Sequence, residues 1–203
     1  GLSTHELNMP GCYKPVKDTS MVAQFKVVHN DQSEFLFSKT DTDVYFLAWT
    51  TTPWTLPSNT ALGVGKDIRY VSVRTFNQYT GEAITVILAK ELLHKYFPEK
   101  HAELKLDDYQ PGDKKVPYQV VEAFDGSALA GLRYEQLMPY QQPENGDAFF
   151  VVTGDFVTTE EGTGIVHLAP SFGADDFKVS QEYGIGSLTL VDKQGKFIDG
   201  MGE

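Results

Sequence analysis

The chain has 203 residues, with a hydrophobic fraction of 41%, an aromatic fraction of 12% and a net charge of −11. That much apolar side chain builds a packed core and excludes a disordered tail; an acidic chain is a poor general nucleic-acid binder, because hold on phosphate comes largely from Lys and Arg, so any contact with a nucleic acid should be local or draw its energy from another domain. One cysteine, Cys12, excludes an internal disulfide and a Cys-based zinc site and fits a reducing compartment. No apolar run reaches the roughly 18–20 residues of a membrane span, no signal peptide is visible, and a start at Gly1 rather than Met suggests a fragment of a longer protein.

In chain order, residues 1–20 read as a polar linker or extended segment, and 21–203 as one domain. Short apolar or alternating runs then follow one another. The expected strands are Val22–Val28, Glu34–Phe37, Val44–Thr50, Tyr70–Phe76, Ala83–Leu88, Val116–Phe124, Ala148–Thr153, Asp155–Thr159, Gly164–Leu168 and Leu188–Val191, supported by their β-branched and aromatic content. Val44–Trp49 is continuously apolar and predicts a central strand covered on both faces. Val71 and Val73 alternate with Ser72 and Arg74, as on a half-buried strand. Helices are few. Lys90–Phe97 stops at Pro98, and Ala174–Tyr183 carries Asp175 and Asp176 in its first turn and Gly184 just beyond its end. Residues 99–115 read as loop. The expected fold is mainly β and barrel-like, with a few peripheral α-helices.

Two stretches stand apart. Thr50–Thr60 follows the most apolar strand. Pro53 and Pro57 stiffen it, so the hydroxyls of Thr50, Thr51, Thr52 and Thr55 and the Asn59 amide are held at a strand end, where they can fix a small polar ligand or orient a water. The competing reading is a Thr-rich strand ending in a proline turn. Glu161–Phe177 reads as turn, strand, loop and helix start. It puts His167 on an apolar strand, where a satisfied core histidine is the alternative to a functional one. Asp175 and Asp176 lie about 100° apart around a helix, so one can complement the helix dipole while the other faces a pocket. Neither stretch contains a nucleophile elbow, a phosphate-binding glycine loop or a metal cluster.

Together these stretches resemble the editing domain of isoleucyl-tRNA synthetase, the connective insertion within its catalytic fold. Trp49–Asn59 (WTTTPWTLPSN) is similar to the family's threonine-rich peptide, and Glu161–Phe177 (EGTGIVHLAPSFGADDF) to the second motif of its editing pocket. The valyl and leucyl enzymes carry Arg where this chain has Pro53. The resemblance covers roughly residues 20–203. It implies a six-stranded barrel core and a site that holds a misattached valine on the terminal adenosine of tRNA. It further implies that Asp176, Thr51 and Thr52 carry the chemistry, with Asp176 taking the α-ammonium. Thr50, Thr55 and Asn59 would join them around adenosine, amino acid or water, Trp54 would form a wall, and His167 would help to exclude isoleucine. Asp175 is the less constrained neighbour.

The H-I-G-H and K-M-S-K-S signatures of the synthetic site are missing from this sequence, so on this resemblance the chain is the hydrolytic module alone. The module itself would use no metal or cofactor, the whole synthetase using ATP and Mg. Its partners would be the 3′ end of tRNA(Ile) carrying valine and the rest of the synthetase, in a cytoplasmic monomer away from any membrane. Two other readings stay open. One is a binding module for an amino acid or nucleotide without turnover. The other is a carboxylate-dyad hydrolase, which adjacent aspartates serve poorly because their side chains diverge.

Overall fold

The computed structural model describes residues 20–192, 194 and 196–198. The expected linker, Ser20 apart, and the last five residues lie outside that range. Eight strands form one curled sheet: β1 (Met21–Lys26), β2 (Val44–Thr50), β3 (Ala61–Val64), β4 (Arg69–Phe76), β5 (Ala83–Ala89), β6 (Gln119–Asp125), β7 (Phe150–Thr153) and β8 (Ile165–Leu168). Three α-helices accompany them among the described residues: α1 (Glu34–Phe37), α2 (Leu93–Tyr96) and α3 (Ala174–Tyr183). The mainly β expectation holds.

The sheet branches at β2. One edge of β2 pairs along its length with β1, from Met21↔Thr50 to Lys26↔Tyr45. The other edge is shared: Val44–Phe46 pair with β5, and Trp49 pairs with Val166 of β8. From β8 the ladder continues to β3 and β7. It then returns to β1 through Arg133 and Tyr134, bridged to Phe150 on one side and Val27 on the other. The amide of Val28 donates to Arg133, and that of Glu135 to Lys26, both at 2.8 Å. β1, β2, β8, β3, β7 and this short segment therefore make six staves, and β5–β4–β6 extend from β2 as a wing.

This branching explains the continuous apolar run of β2. Phe46 and Ala48 point into the barrel beside Phe25, Leu62, Val64, Val151 and Ile165, while Leu47 joins Val71, Val73, Val86 and Leu88 under the wing. Each fully buried large side chain contributes roughly 1.5–3 kcal/mol. Ser72 is buried as well, so β4 is covered on both faces rather than half-buried.

Several expected elements differ. Glu34–Phe37 is the helical turn α1, because Asn30 Oδ1 accepts the amides of Gln32 and Ser33 and winds the chain before it can extend. Ala61–Val64, unanticipated, is strand β3. Asp155–Thr159 is a turn and loop, with the Phe156 ring laid across Gly63 where a Cβ would sit 2.7 Å from it. Lys90–Phe97 splits into a 3₁₀ turn, Lys90–Leu92, and the single turn of α2, ending before Pro98 as expected. β6 begins at Gln119, and Leu188–Val191 carries one isolated bridge, Val191↔Phe197. Among the described residues no helix is long and apolar enough to cross a membrane.

Candidate functional site

β2 ends at Thr50, and the chain enters a 3₁₀ turn over Pro53–Ser58. Pro53 starts this turn, where the missing N–H costs nothing. Thr50 Oγ1 accepts the Thr52 amide at 3.0 Å, and Thr55 Oγ1 donates to the Thr52 carbonyl at 2.8 Å. The hydroxyls of Thr52 and Thr55 lie 3.2 Å apart, and those of Thr50 and Thr52 3.3 Å apart. The threonines thus tie the turn together and line one wall of a cleft.

The opposite wall comes from β8 and α3. Gly162 and Gly164 both adopt positive φ, 71° and 77°, which only glycine takes readily. Between them Thr163 Oγ1 donates to the Leu47 carbonyl at 2.6 Å, setting the start of β8. His167 follows on that strand, paired in register with Leu62 of β3. The loop after Leu168 then delivers Ala169, Phe172 and Gly173 to the cleft before α3 begins. Gly184, left-handed at φ 65°, ends α3 as expected.

The cleft measures about 430 Å³ and is lined by Trp49, Thr50, Thr51, Thr52, Trp54 and Thr55 from one side. Val166, His167, Ala169, Phe172, Gly173 and Asp176 complete it. Seven of the eight residues singled out from sequence therefore meet here. The eighth, Asn59, is 3% exposed and lies behind the wall, its Nδ2 donating to His167 Nδ1 at 2.9 Å and to the Ala61 carbonyl at 2.8 Å. Trp54, 57% exposed, and Phe172, 42% exposed, stand at the rim as flat apolar surfaces. Thr51 is exposed at the mouth.

His167 borders the cleft and is also a fully partnered, 8% exposed residue; the two readings of it are not exclusive. Its Nε2 faces Thr55 Oγ1 at 2.9 Å. Burial pushes its pKa down to about 4, so the ring is neutral at physiological pH. The two aspartates diverge. Asp175 is exposed and pairs with Lys178 at 3.3 Å, whereas Asp176 is half-buried on the cleft and its Oδ2 accepts the Ala169 amide at 2.9 Å. Burial raises the Asp176 pKa; the Ala169 hydrogen bond opposes this, and the charge of Asp175 adds to it. Among the described residues no group of three or more His, Cys, Asp or Glu is placed to hold a metal ion.

Sequence reasoning missed Trp49, Phe172 and Tyr134 as contributors. The first two sit inside the motifs, and their signal was an aromatic side chain beside polar wall residues. Tyr134 donates to Asn59 Oδ1 at 2.6 Å from far along the chain, and no local pattern marks it.

No protein-family profile matches the chain. Its sequence is 58% identical over 196 residues to the isoleucine–tRNA ligase of Bacteroides fragilis, covering 97% of this chain and 17% of that protein. The chain is related to isoleucine–tRNA ligases over nearly its whole length. A more distant relative, the isoleucine–tRNA ligase of Clostridium tetani, is 41% identical over 198 residues, covering 98% of this chain and 16% of that protein. The chain thus spans about a sixth of these ligases. Its fold is that of the Plasmodium knowlesi (P. knowlesi) cytosolic leucyl-tRNA synthetase editing domain, with a TM-score of 0.59 at 14% identity, covering 88% of this chain and 74% of that one. The same fold occurs in the crystal structure of GlLeuRS-CP1, with a TM-score of 0.58 at 18% identity, covering 81% of this chain and 58% of that one.

Proposed function

We propose that this chain is the editing module of an isoleucine–tRNA ligase and hydrolyses valine from mischarged Val-tRNA(Ile). The carrying observation is the cleft itself, which brings the threonine turn, His167 and Asp176 within one small volume. The terminal adenosine of tRNA stacks at the aromatic rim of Trp54 and Phe172, and the amino acid points inward toward His167. The Asp176 carboxylate, oriented by the Ala169 amide, takes the free α-ammonium, which separates an aminoacyl ester from a plain acyl one. The hydroxyls of Thr51 and Thr52 orient the attacking water and the developing oxyanion. The ester is already activated, so positioning and hydrogen bonding suffice without a nucleophilic side chain.

The need for such a module follows from magnitude. One missing methylene changes binding by only about 1–3 kcal/mol, a limit for which isoleucyl-tRNA synthetase is itself the standard illustration. A second pocket, closed at its end by a pinned imidazole, excludes isoleucine by overlap instead. The remainder of the ligase supplies the ATP- and Mg-dependent synthesis and most of the tRNA contact; the module works as a cytoplasmic monomer with no cofactor of its own.

Incubating the chain with Val-tRNA(Ile) and Ile-tRNA(Ile) tests the reading. Release of valine with isoleucine spared is the expected result. Equal hydrolysis of both esters defeats the sieve, and saturable binding of valyl-adenosine with no turnover supports a binding module instead.

A further inference from the structure

Tyr134 belongs to neither motif, yet its hydroxyl reaches the site. The residue is 2% exposed, and its ring stands edge-on to Phe25 at 5.3 Å and to Phe149 at 6.1 Å, in the short segment that completes the barrel. The hydroxyl donates to Asn59 Oδ1 at 2.6 Å. That bond, together with the Ala61 and Leu168 carbonyls, orients the amide, so Asn59 Nδ2 is the donor toward the Ala61 carbonyl at 2.8 Å and toward His167 Nδ1 at 2.9 Å. The reversed amide would set Oδ1 against the Ala61 and Leu168 carbonyls, acceptor to acceptor. A ring nitrogen that accepts carries no proton, so the proton of neutral His167 is on Nε2, which donates to Thr55 Oγ1 at 2.9 Å. Thr55 Oγ1 in turn donates its hydrogen bond to the Thr52 carbonyl at 2.8 Å. Each donor meets an acceptor, in one direction, from the barrel wall to the lip of the cleft.

We infer that Tyr134 is a positioning residue of this cleft: acting through Asn59, it holds His167 in one ring orientation and one tautomer, and so sets the surface against which the amino-acid side chain is measured. Asn59 serves behind that surface rather than on the substrate. What the surface discriminates rests on the editing reading; the tautomer and its dependence on Tyr134 do not.

The test uses the ¹⁵N-labelled chain. Long-range proton–nitrogen correlation reads the two ring nitrogens of His167, and single-turnover deacylation of Val-tRNA(Ile) and Ile-tRNA(Ile) reads selectivity. In the unmodified chain Nε2 is expected to carry the proton and Nδ1 none. Tyr134→Phe keeps the aromatic packing and removes the one hydrogen bond. It should move both ring nitrogens toward the averaged position of a mixed tautomer and lower the valine-to-isoleucine ratio by about tenfold, equivalent to roughly 1.4 kcal/mol. Either readout staying at its wild-type value in a folded Tyr134→Phe chain overturns the inference, as does a wild-type ring protonated on Nδ1. If Tyr134→Phe does not fold, Asn59→Asp puts an acceptor against Nδ1 and should draw the proton there; an unchanged His167 spectrum in that variant overturns the proposed coupling. A wild-type chain that hydrolyses neither ester, or both alike, defeats the editing reading and the selectivity half, and the ring nitrogens then decide the rest.

Discussion

His167 is neutral because protonating it would strand a charge in the wall and would need Asn59 to accept where it donates. Its folded pKa of about 4 lies below the usual 6.5, so its contribution to stability is complete above pH 6.5 and is lost as pH falls toward 4. Between pH 6.5 and 5 this single group should cost roughly 2 kcal/mol. Urea unfolding of the wild type and of His167→Gln at both pH values checks this, because the variant lacks the titrating ring; identical pH dependence in the two proteins would contradict it. Asp176 has the opposite sign. Burial raises its folded pKa, so its ionised form opposes folding at pH values above that pKa. Asp176→Asn should therefore leave the melting temperature unchanged or higher, since the amide oxygen can still accept from Ala169. It should also lower deacylation at least tenfold, because losing one partner of a desolvated charge pair costs about 2–5 kcal/mol. Asp175→Ala, at an exposed ion pair with Lys178, should leave the rate nearly intact. Reversed phenotypes in single-turnover assays would move the ammonium contact by one residue.

The elements around β8 show why the site forms where it does. Of the left-handed glycines around this region, Gly164 and Gly184 should respond very differently to a methyl group. At Gly184 a Cβ meets nothing within 4 Å, so Gly184→Ala should cost only the conformational penalty of about 1 kcal/mol. At Gly164 the same Cβ would lie 2.4 Å from the Ala89 Cβ, adding overlap with β5 to the same penalty. Gly164→Ala should thus lower the melting temperature markedly more than Gly184→Ala, and comparable melting curves for the two would disprove the packing argument. Much of this arrangement was legible locally. The unbroken apolar run of β2 announced a strand with two cores, Pro98 and Gly184 marked real ends, and the hydroxyl-rich turn after β2 did reach one cleft with His167 and Asp176. What could not be read depends on a local side-chain turn in one case and on distant partners in the others. Glu34–Phe37 has the aromatic content of a strand but is wound by the Asn30 turn just before it, and Ala61–Val64 is too short to signal and becomes a strand because β7 and β8 flank it. Asp155–Thr159 has strand composition, yet Phe156 covers the gap at Gly63 instead of joining a ladder. Asn59 ends a hydroxyl-rich run that lines the cleft, yet the pairing of β3 with β8 sets His167 beside its amide and turns it inward.

At the scale of the whole molecule, the uneven charge bears on how the proposed editing module would meet its tRNA. The first 100 residues carry ten basic and ten acidic groups, and the remaining 103 carry seven basic and eighteen acidic, so the half that supplies β8 and α3 repels phosphate. On the editing function proposed above, binding would come from the cleft: aromatic surface for the terminal base, worth about 1–3 kcal/mol by stacking, and Asp176 for the ammonium. Few phosphate contacts imply a shallow salt response. With one or two of them, at a slope near 0.7 per contact for single strands, a fourfold rise in salt should weaken binding by about three- to sevenfold. A basic RNA-binding surface with six or more contacts would lose roughly a thousandfold over the same range. For the same reason a valylated acceptor-stem minihelix should be hydrolysed within about tenfold of the full-length Val-tRNA(Ile), since an acidic exterior offers the removed parts little attraction. Half-saturation in single-turnover deacylation, measured for both substrates at 50 and 200 mM salt, tests both expectations together. A salt effect beyond a hundredfold, or a minihelix that is inert while the full tRNA is turned over, would place the binding energy on the tRNA body and require a contact surface elsewhere on the chain.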